Sequence, residues 1–228
     1  MPPVDFRSKK DYVYETLRRR ILEGELEPGA RLVIDELASG LGVSPIPVRE
    51  ALQQLNADGY VVIQPYIGVK VAEIHTESIF EIFAILEAME VISGRAACER
   101  MTDHELDELS GMIEEMEKLT GHPEAWSHGN QRFHRYLCAR ARSLLVEVFM
   151  NKVLEHWDRL RRHYFYDVFT HRVACSQTEH REILAALRSR DPDQVEAAIR
   201  EHNRTALAAY VQYLEREKKP EPAGVEAE

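Results

Sequence analysis

The stretch GVSPIPVREALQQLN, residues 42–56, marks the start of a helix. Ser44 is a favoured N-cap residue, because its hydroxyl can accept a hydrogen bond from an exposed backbone N–H group. Pro45 follows at the first helical position and Pro47 lies in the first turn, where N–H groups have no intrahelical partner, so neither proline interrupts the helix. The helix has an apolar stripe of Val48, Ala51, Leu52 and Leu55, and a polar side of Arg49, Gln53 and Asn56.

Two helices precede this segment and a β-hairpin follows it. Val13, Leu17 and Ile21 recur every four residues, which predicts a first helix, and residues 34–41 fit a short second one. After Gly59, the strings YVVIQ and VKVAEI flank a PYIG turn, which predicts two antiparallel strands. Three short helices and a hairpin predict a winged helix-turn-helix domain over residues 1–75.

The rest of the chain carries long amphipathic helices with almost no strand signal. Thr102 and Glu105 form a capping box that opens one helix, and Ser176 and Glu179 form another that predicts the start of a separate fifth helix. Two further helices are predicted to begin with a proline, directly after His122 and Asp191. We therefore predict a mainly α protein, with an all-helical antiparallel bundle over residues 76–217 and a disordered tail over residues 218–228.

Composition excludes several classes of protein. No apolar run approaches the roughly 18 residues that cross a bilayer, and the N-terminus does not resemble a secretory signal. The three cysteines are far apart, which favours reduced thiols in a cytoplasmic protein. The net charge of −10 argues against nucleic-acid binding, but residues 1–73 carry 9 basic and 11 acidic residues, a net charge of only −2. The local charge of a surface matters more for DNA than the sum.

A winged helix-turn-helix places its third helix in the major groove of DNA and its wing on the backbone or minor groove. In that position Arg49 can bind a guanine edge or a phosphate. The alternative is a helical module for protein contacts, in which Arg49 is merely solvated. The predicted DNA contacts are Ser44, Ile46, Arg49 and Gln53 on the helix, Tyr66, Gly68 and Lys70 on the wing, and Arg31 at a phosphate.

The first domain resembles the DNA-binding domain of GntR-family bacterial transcription regulators. The resemblance covers about residues 10–73 and rests on the strings LEPGARL, DELASGLGVSPIPVREALQQL and GYVVIQPYIGVKV. It implies a homodimer on a palindromic DNA operator. Many members carry arginine where this chain has Asp35 and Pro45, which leaves Arg49 as the main basic residue for reading DNA.

Three of the ten histidines lie within predicted helices of the second part, and the others suit solvated positions. His134 follows Asn130 by four residues, so the two share a helix face. His180 adjoins an apolar set, and His202 lies on the apolar side of the last helix. Imidazoles from three helices that meet in a bundle core would form a metal site. The alternative is that each imidazole is an ordinary hydrogen-bonded core residue.

The second part, from Ser78 to Tyr213, is similar to the FCD ligand-binding domain of FadR-like GntR regulators. The matching strings are ILEAMEVISGRAA, NQRFHRYL, EHREILAAL and EHN. The resemblance implies that residues 76–217 bind an effector and dimerise. It also implies a divalent metal ion, zinc or nickel, at the base of a pocket for a small organic acid effector. The implied ligands are Asn130, His134, His180 and His202. Aspartate is common at the position of Asn130, and an amide oxygen is a weaker, neutral donor.

A further departure is Phe83, where members often carry an arginine that would bind a carboxylate effector. Either Arg95, Arg159 or Arg162 supplies that charge, or the ligand is less anionic. Together these features predict a ligand-responsive transcription regulator, to which we assign repression. The alternatives are a metal-dependent enzyme, for which the sequence shows no general base at a convincing spacing, and a structural helical bundle fused to a DNA-binding domain.

Overall fold

The computed structural model of the protein describes residues 8–217, which form nine helices and one small antiparallel sheet. They divide into two compact units, the first ending at His75 and the second beginning at Thr76. The predicted fold class, a winged helix-turn-helix with a helical bundle, is confirmed. Within the described residues, no helix has the length and apolarity needed to span a bilayer. The predicted tail, residues 218–228, lies outside the described residues.

The first unit contains the three predicted helices and a three-stranded sheet. Its strand order is β1-β3-β2, with both pairs antiparallel. The sequence did not predict β1, because two residues are too short to show an alternating pattern. The elements are α1 Lys9–Leu22, β1 Arg31–Leu32, α2 Ile34–Leu41, α3 Pro45–Ala57, β2 Val61–Gln64 and β3 Gly68–Val71.

The junction between α2 and α3 forms the helix-turn-helix. Gly42 ends α2 with φ 65°, a left-handed conformation that glycine adopts without steric cost. Ser44 occupies the N-cap of α3, as predicted, but its side chain makes no capping hydrogen bond. Ser44 therefore holds the predicted position but does not cap the helix. Pro45 and Pro47 in the first turn favour the start of the helix, because their φ is fixed near the helical value. The apolar stripe of α3 packs against Val13, Leu17 and Ile21 of α1.

The second unit is a bundle of six helices. The capping box of Thr102 and Glu105 is confirmed. The one predicted at Ser176 is wrong, because Ser176 is buried inside a continuous helix and the chain breaks earlier, at Phe165. No glycine or proline interrupts that helix. The helices are α4 Ser78–Arg100, α5 Asp103–Glu117, α6 Pro123–Arg140, α7 Leu144–Tyr164, α8 Tyr166–Ser189 and α9 Pro192–Glu217.

Helix α4 lies at the centre of the bundle and packs against α6, α7 and α9. The approach to α9 is close at Gly94. A Cβ atom there would collide with the buried side chain of Ile199 and lie 3.0 Å from Val195. This close packing brings the middle of α4 next to the middle of α9, where the candidate site lies.

Candidate functional site

Five helices, α4, α6, α7, α8 and α9, line a cavity of about 50 Å³ in the second unit. His134 from α6 and His202 from α9 line its polar end, and together with His180 from α8 they form a cluster of three imidazoles. All three are buried, and one nitrogen of each lies within 4.8 Å of those of the other two. Three imidazoles at this spacing could hold one metal ion.

Two of these histidines are oriented by carboxylates, the buried Glu90 and the half-buried Glu179. Nδ1 of His134 lies 2.7 Å from Oε1 of Glu90, and Nδ1 of His202 lies 2.8 Å from Oε2 of Glu179. A carboxylate only accepts hydrogen bonds, so each Nδ1 carries the proton and each Nε2 keeps its lone pair. This is the usual arrangement of metal-binding histidines, in which an outer carboxylate fixes the tautomer and ring orientation.

The third histidine, His180, has no hydrogen-bond partner among the described residues. Both its ring nitrogens are buried and unpaired, as is Oδ1 of Asn130. Burial, with smaller electrostatic contributions from His202, His134 and Arg172, lowers the pKa of His180 well below 6.5, so the ring is neutral. Buried polar atoms are nearly always paired, and a neutral imidazole and an amide oxygen are both metal ligands. The residues present therefore fit a metal ion.

The two carboxylates are themselves held in networks. Burial alone would raise the pKa of Glu90, but the charge and hydrogen bond of His134, with help from His202 and Asn203, lower it overall. The pKa of Glu179 is set by the same opposing effects. Burial would raise this pKa, but His202, Arg172 and Thr205 lower it to about 2. Both side chains are thus available as acceptors that hold the imidazoles.

Phe83 is the one predicted effector residue that lines the cavity. Arg95 instead joins α4 to α9, at 2.7 Å from Asp193 and 2.9 Å from Glu196. Arg162 pairs with Asp158 at 2.9 Å. Arg159 is buried in α7. None of these three arginines is among the residues that line the cavity, so the alternative in which one of them supplies its positive charge finds no support in this geometry.

Arg172 on α8 supplies the guanidinium that sequence reasoning missed. It lines the cavity, and its Nη2 donates to Oε2 of Glu179 at 2.5 Å. Glu90 and Glu179 were also missed, because a charged residue within a helix usually lies on a solvated face. A signal was present for Glu90: it stands four residues after Leu86, on the apolar stripe of α4.

The predicted DNA contacts in the first unit lie on exposed surface. On α3, Ser44, Ile46, Arg49 and Gln53 are all exposed. In the sheet, Arg31 of β1 lies directly opposite Lys70 of β3, and both are exposed. Two like charges opposite each other are unfavourable unless an anion lies against them.

The turn of the hairpin presents Tyr66. This side chain is fully exposed and its backbone has φ 64°, an uncommon conformation for a residue other than glycine. The hairpin is joined to the end of α3, because the backbone N–H of Ile63 donates to Oδ1 of Asn56 at 3.0 Å. The first unit therefore holds the helix and the wing in one fixed arrangement.

Both units match the sequence models of known protein families. Residues 9–71 match the sequence model of the gntR family of bacterial regulatory proteins, and residues 81–205 match that of the FCD domain. The chain is 28% identical to the transcriptional regulator McbR of Escherichia coli over 189 residues, covering 79% of this chain and 83% of McbR. It is 27% identical to the transcriptional repressor RspR of Escherichia coli, covering 83% of each. The solved structure of E. coli McbR/YncC superposes with a TM-score of 0.73 at 24% identity, covering 91% of this chain and 99% of McbR/YncC, and shows the same fold.

Proposed function

Because the chain belongs to the GntR family of bacterial regulatory proteins and carries an FCD domain, it is a transcriptional regulator and not an enzyme, and we propose that it is a metal-dependent sensor of a small organic acid. It binds a palindromic operator as a homodimer and represses transcription. The observation that carries this proposal is the unpaired, buried His180, which lies beside two carboxylate-oriented histidines and a cavity.

The first unit supports operator binding through its exposed polar residues. Helix α3 enters the major groove, where Arg49 binds a guanine edge and Gln53 and Ser44 lie beside it. Arg31 and Lys70, opposite each other in the sheet, bind a phosphate, which relieves their mutual repulsion. Tyr66 and Gly68 place the hairpin turn on the adjacent backbone or minor groove.

The second unit supports dimerisation through exposed apolar side chains. Helices α4 and α7 pack against each other, and both leave large apolar residues in solvent. An exposed apolar surface of this kind is typical of an interaction site. A second copy of the chain covers it, since a palindromic operator requires two copies. The residues are Ile85 and Ile92 on α4, and Leu144, Leu145, Val148 and Phe149 on α7.

The metal site and the cavity give the sensing function. A zinc or nickel ion would be held by His134, His180 and His202, with Asn130 as a weak fourth ligand, and would supply a Lewis-acidic position for a carboxylate oxygen. Arg172 orients the same carboxylate from α8. Occupation of the cavity changes how α8 and α9 pack in each copy. This alters the distance between the two recognition helices, which must match half-sites about 34 Å apart.

DNA binding is tested with the full-length protein and fragmented genomic DNA. Bound fragments are selected and sequenced, and the affinity for the best fragment is measured by gel shift at fixed salt. The variant Arg49→Ala should bind that fragment at least roughly tenfold more weakly, since a bidentate arginine contact contributes about 1–3 kcal/mol. Arg19→Ala, which removes an exposed arginine from α1, is the matched control. Full retention of affinity by Arg49→Ala would contradict the DNA-binding assignment.

Sensing is tested on the same fragment. The zinc-loaded protein is titrated with a panel of small organic acids, and the affinity for DNA is followed. At least one acid should change that affinity. If no acid alters it, the acid-sensing part of the proposal fails, although DNA binding stands.

A further inference from the structure

The cavity has a polar end and an aromatic end, and α4 and α9 each contribute to both. The two residues on one helix are seven or eight positions apart, which corresponds to about 10–12 Å of α-helix, so the polarity changes over the length of a small ligand. The pairs, polar residue first, are Glu90 and Phe83 on α4, and His202 and Tyr210 on α9.

A cluster of three rings closes the aromatic end. The ring of Trp157 lies 5.2 Å from that of Phe83 and 4.9 Å from that of Tyr210, and the Phe83 and Tyr210 rings are 5.8 Å apart. Phe83 has no polar atom, and the three rings together present mainly apolar surface. Hydroxyl groups on a ligand would lose their hydrogen bonds to water here without a full replacement.

The charges at the polar end favour a single negative charge on the ligand. Glu90 and Glu179 contribute two negative charges, and Arg172 contributes one positive charge. Imidazoles that bind a metal ion are neutral, and a divalent ion adds two positive charges. The sum is one positive charge, which one carboxylate neutralises. A dicarboxylate would leave an uncompensated charge in a buried site, which is costly.

The volume limits the size of the ligand. A cavity of about 50 Å³ admits only a small molecule, such as a carboxylate with a short hydrocarbon chain.

We propose that the effector is a short apolar monocarboxylate, with its carboxylate towards Arg172 and the three histidines and its hydrocarbon chain against Phe83, Trp157 and Tyr210. Phe83 is the residue that sets this specificity. The proposal rests on the proposed function, that the helical domain senses an organic acid, and it names the class of acid.

Isothermal titration calorimetry on the zinc-loaded full-length protein tests this with three acids of similar size. Butyrate is the apolar monocarboxylate, glycerate is a hydroxylated one and succinate is a dicarboxylate. Butyrate should bind at least tenfold more tightly than either of the others. Equal or tighter binding of glycerate or succinate would overturn the inference.

Two variants at one position sharpen the test. Phe83→Arg adds a positive charge and removes the apolar wall, so its preference should shift at least tenfold from butyrate towards succinate. Phe83→Leu keeps the wall apolar and should keep the preference for butyrate. Circular dichroism checks that both fold. If Phe83→Leu loses the preference as fully as Phe83→Arg does, Phe83 is not the specificity residue.

The outcomes separate this inference from the proposed function. If butyrate does not bind but another acid does and also changes DNA affinity, the inference falls and acid sensing stands. If no acid binds the zinc-loaded protein, both fall. Weakening of butyrate binding by at least tenfold in Arg172→Gln would support the orientation of the carboxylate, and unchanged binding would contradict it.

Discussion

His180 lies between the rings of Trp126 and Phe133 with both of its nitrogens unpaired, which is unfavourable unless something binds them. Zinc bound only to the folded protein stabilises it by about 2.7 kcal/mol at a free concentration one hundred times the Kd. We expect zinc to raise the Tm of the wild-type protein, and His180→Phe to remove that rise. Thermal unfolding followed by circular dichroism, with zinc or with chelator, measures both.

His128→Gln, an exposed histidine on α6, is the control and should keep the zinc effect. With chelator present, His180→Phe should be at least as stable as the wild type, because phenylalanine needs no hydrogen-bond partner. An undiminished rise in Tm for His180→Phe would show that zinc binds elsewhere.

The metal-free protein should also lose stability in mild acid. Burial, with His202, His134 and Arg172 nearby, holds the pKa of His180 well below 6.5, whereas the unfolded chain has the ordinary value. Below about pH 6.5 the unfolded state therefore binds a proton that the native state does not. The contribution of His180 is fully present above that pH and falls by up to about 1.4 kcal/mol per pH unit below it.

Urea unfolding in chelator between about pH 5 and pH 8 measures this dependence. His180→Phe should show a smaller decrease below pH 6.5 than the wild type, since the other histidines are unchanged. Identical slopes in the two proteins would rule out His180 as the source.

At the residue scale, the sequence identified the histidines better than their surroundings. Apolar context placed His180 and His202 next to buried residues, and the resemblance to the FCD domain selected all three histidines. The structure brings His134, His180 and His202 together. Arg172 and Glu179 could not be found in this way, because their place at the site depends on contacts with His202 and Thr205 of another helix, α9. Such tertiary pairs leave no periodic signal in a single chain.

At the element scale, glycine and proline located helix ends well, whereas a capping-box pattern predicted one helix start that does not exist. Residues 34–41 and the start at Pro45 were located to the residue, because glycine and proline mark them. The pair Ser176 and Glu179 imitated a capping box, although both lie inside α8. Their side chains face α9 and the cavity, and only the packed bundle shows this.

The contact between α4 and α9 leads to a prediction about glycine. Gly94 has no room for a Cβ atom, whereas Gly111 on α5 has nothing within 4 Å of that position. Gly111→Ala should stabilise the protein by about 0.5–1 kcal/mol, the usual gain within a helix. Gly94→Ala should instead destabilise it by about 1 kcal/mol, because the displaced Ile199 is buried in a packed core.

Chemical unfolding of the two variants in parallel measures the difference. Both substitutions have the same effect on helix propensity, so the contrast reports only the packing of α4 on α9. Equal stabilisation by both would mean that this contact is looser than the structure shows.

At the scale of the whole molecule, the exposed apolar surface of α4 and α7 predicts a dimer that a single charge should disrupt. Phe149 is 55% exposed in one chain. Phe149→Asp places an unpaired charge in the interface, so the variant should sediment as a monomer and bind the operator fragment far more weakly. Analytical ultracentrifugation and gel shifts measure the two effects.

Lys118→Asp is the control, since it adds a negative charge at the end of α5, a helix that packs against α6 and α8. It should remain dimeric. A dimeric Phe149→Asp would place the interface on another surface.

Both tryptophans of the chain, Trp126 and Trp157, line the cavity. Trp126 is fixed there by its indole N–H, which donates to Gln177 at 2.9 Å, while Gln177 donates to the carbonyl of Ile113. Every indole of this protein is thus part of the cavity wall. A small molecule that enters the cavity should therefore change the intrinsic emission spectrum, which gives a label-free binding assay that needs no DNA.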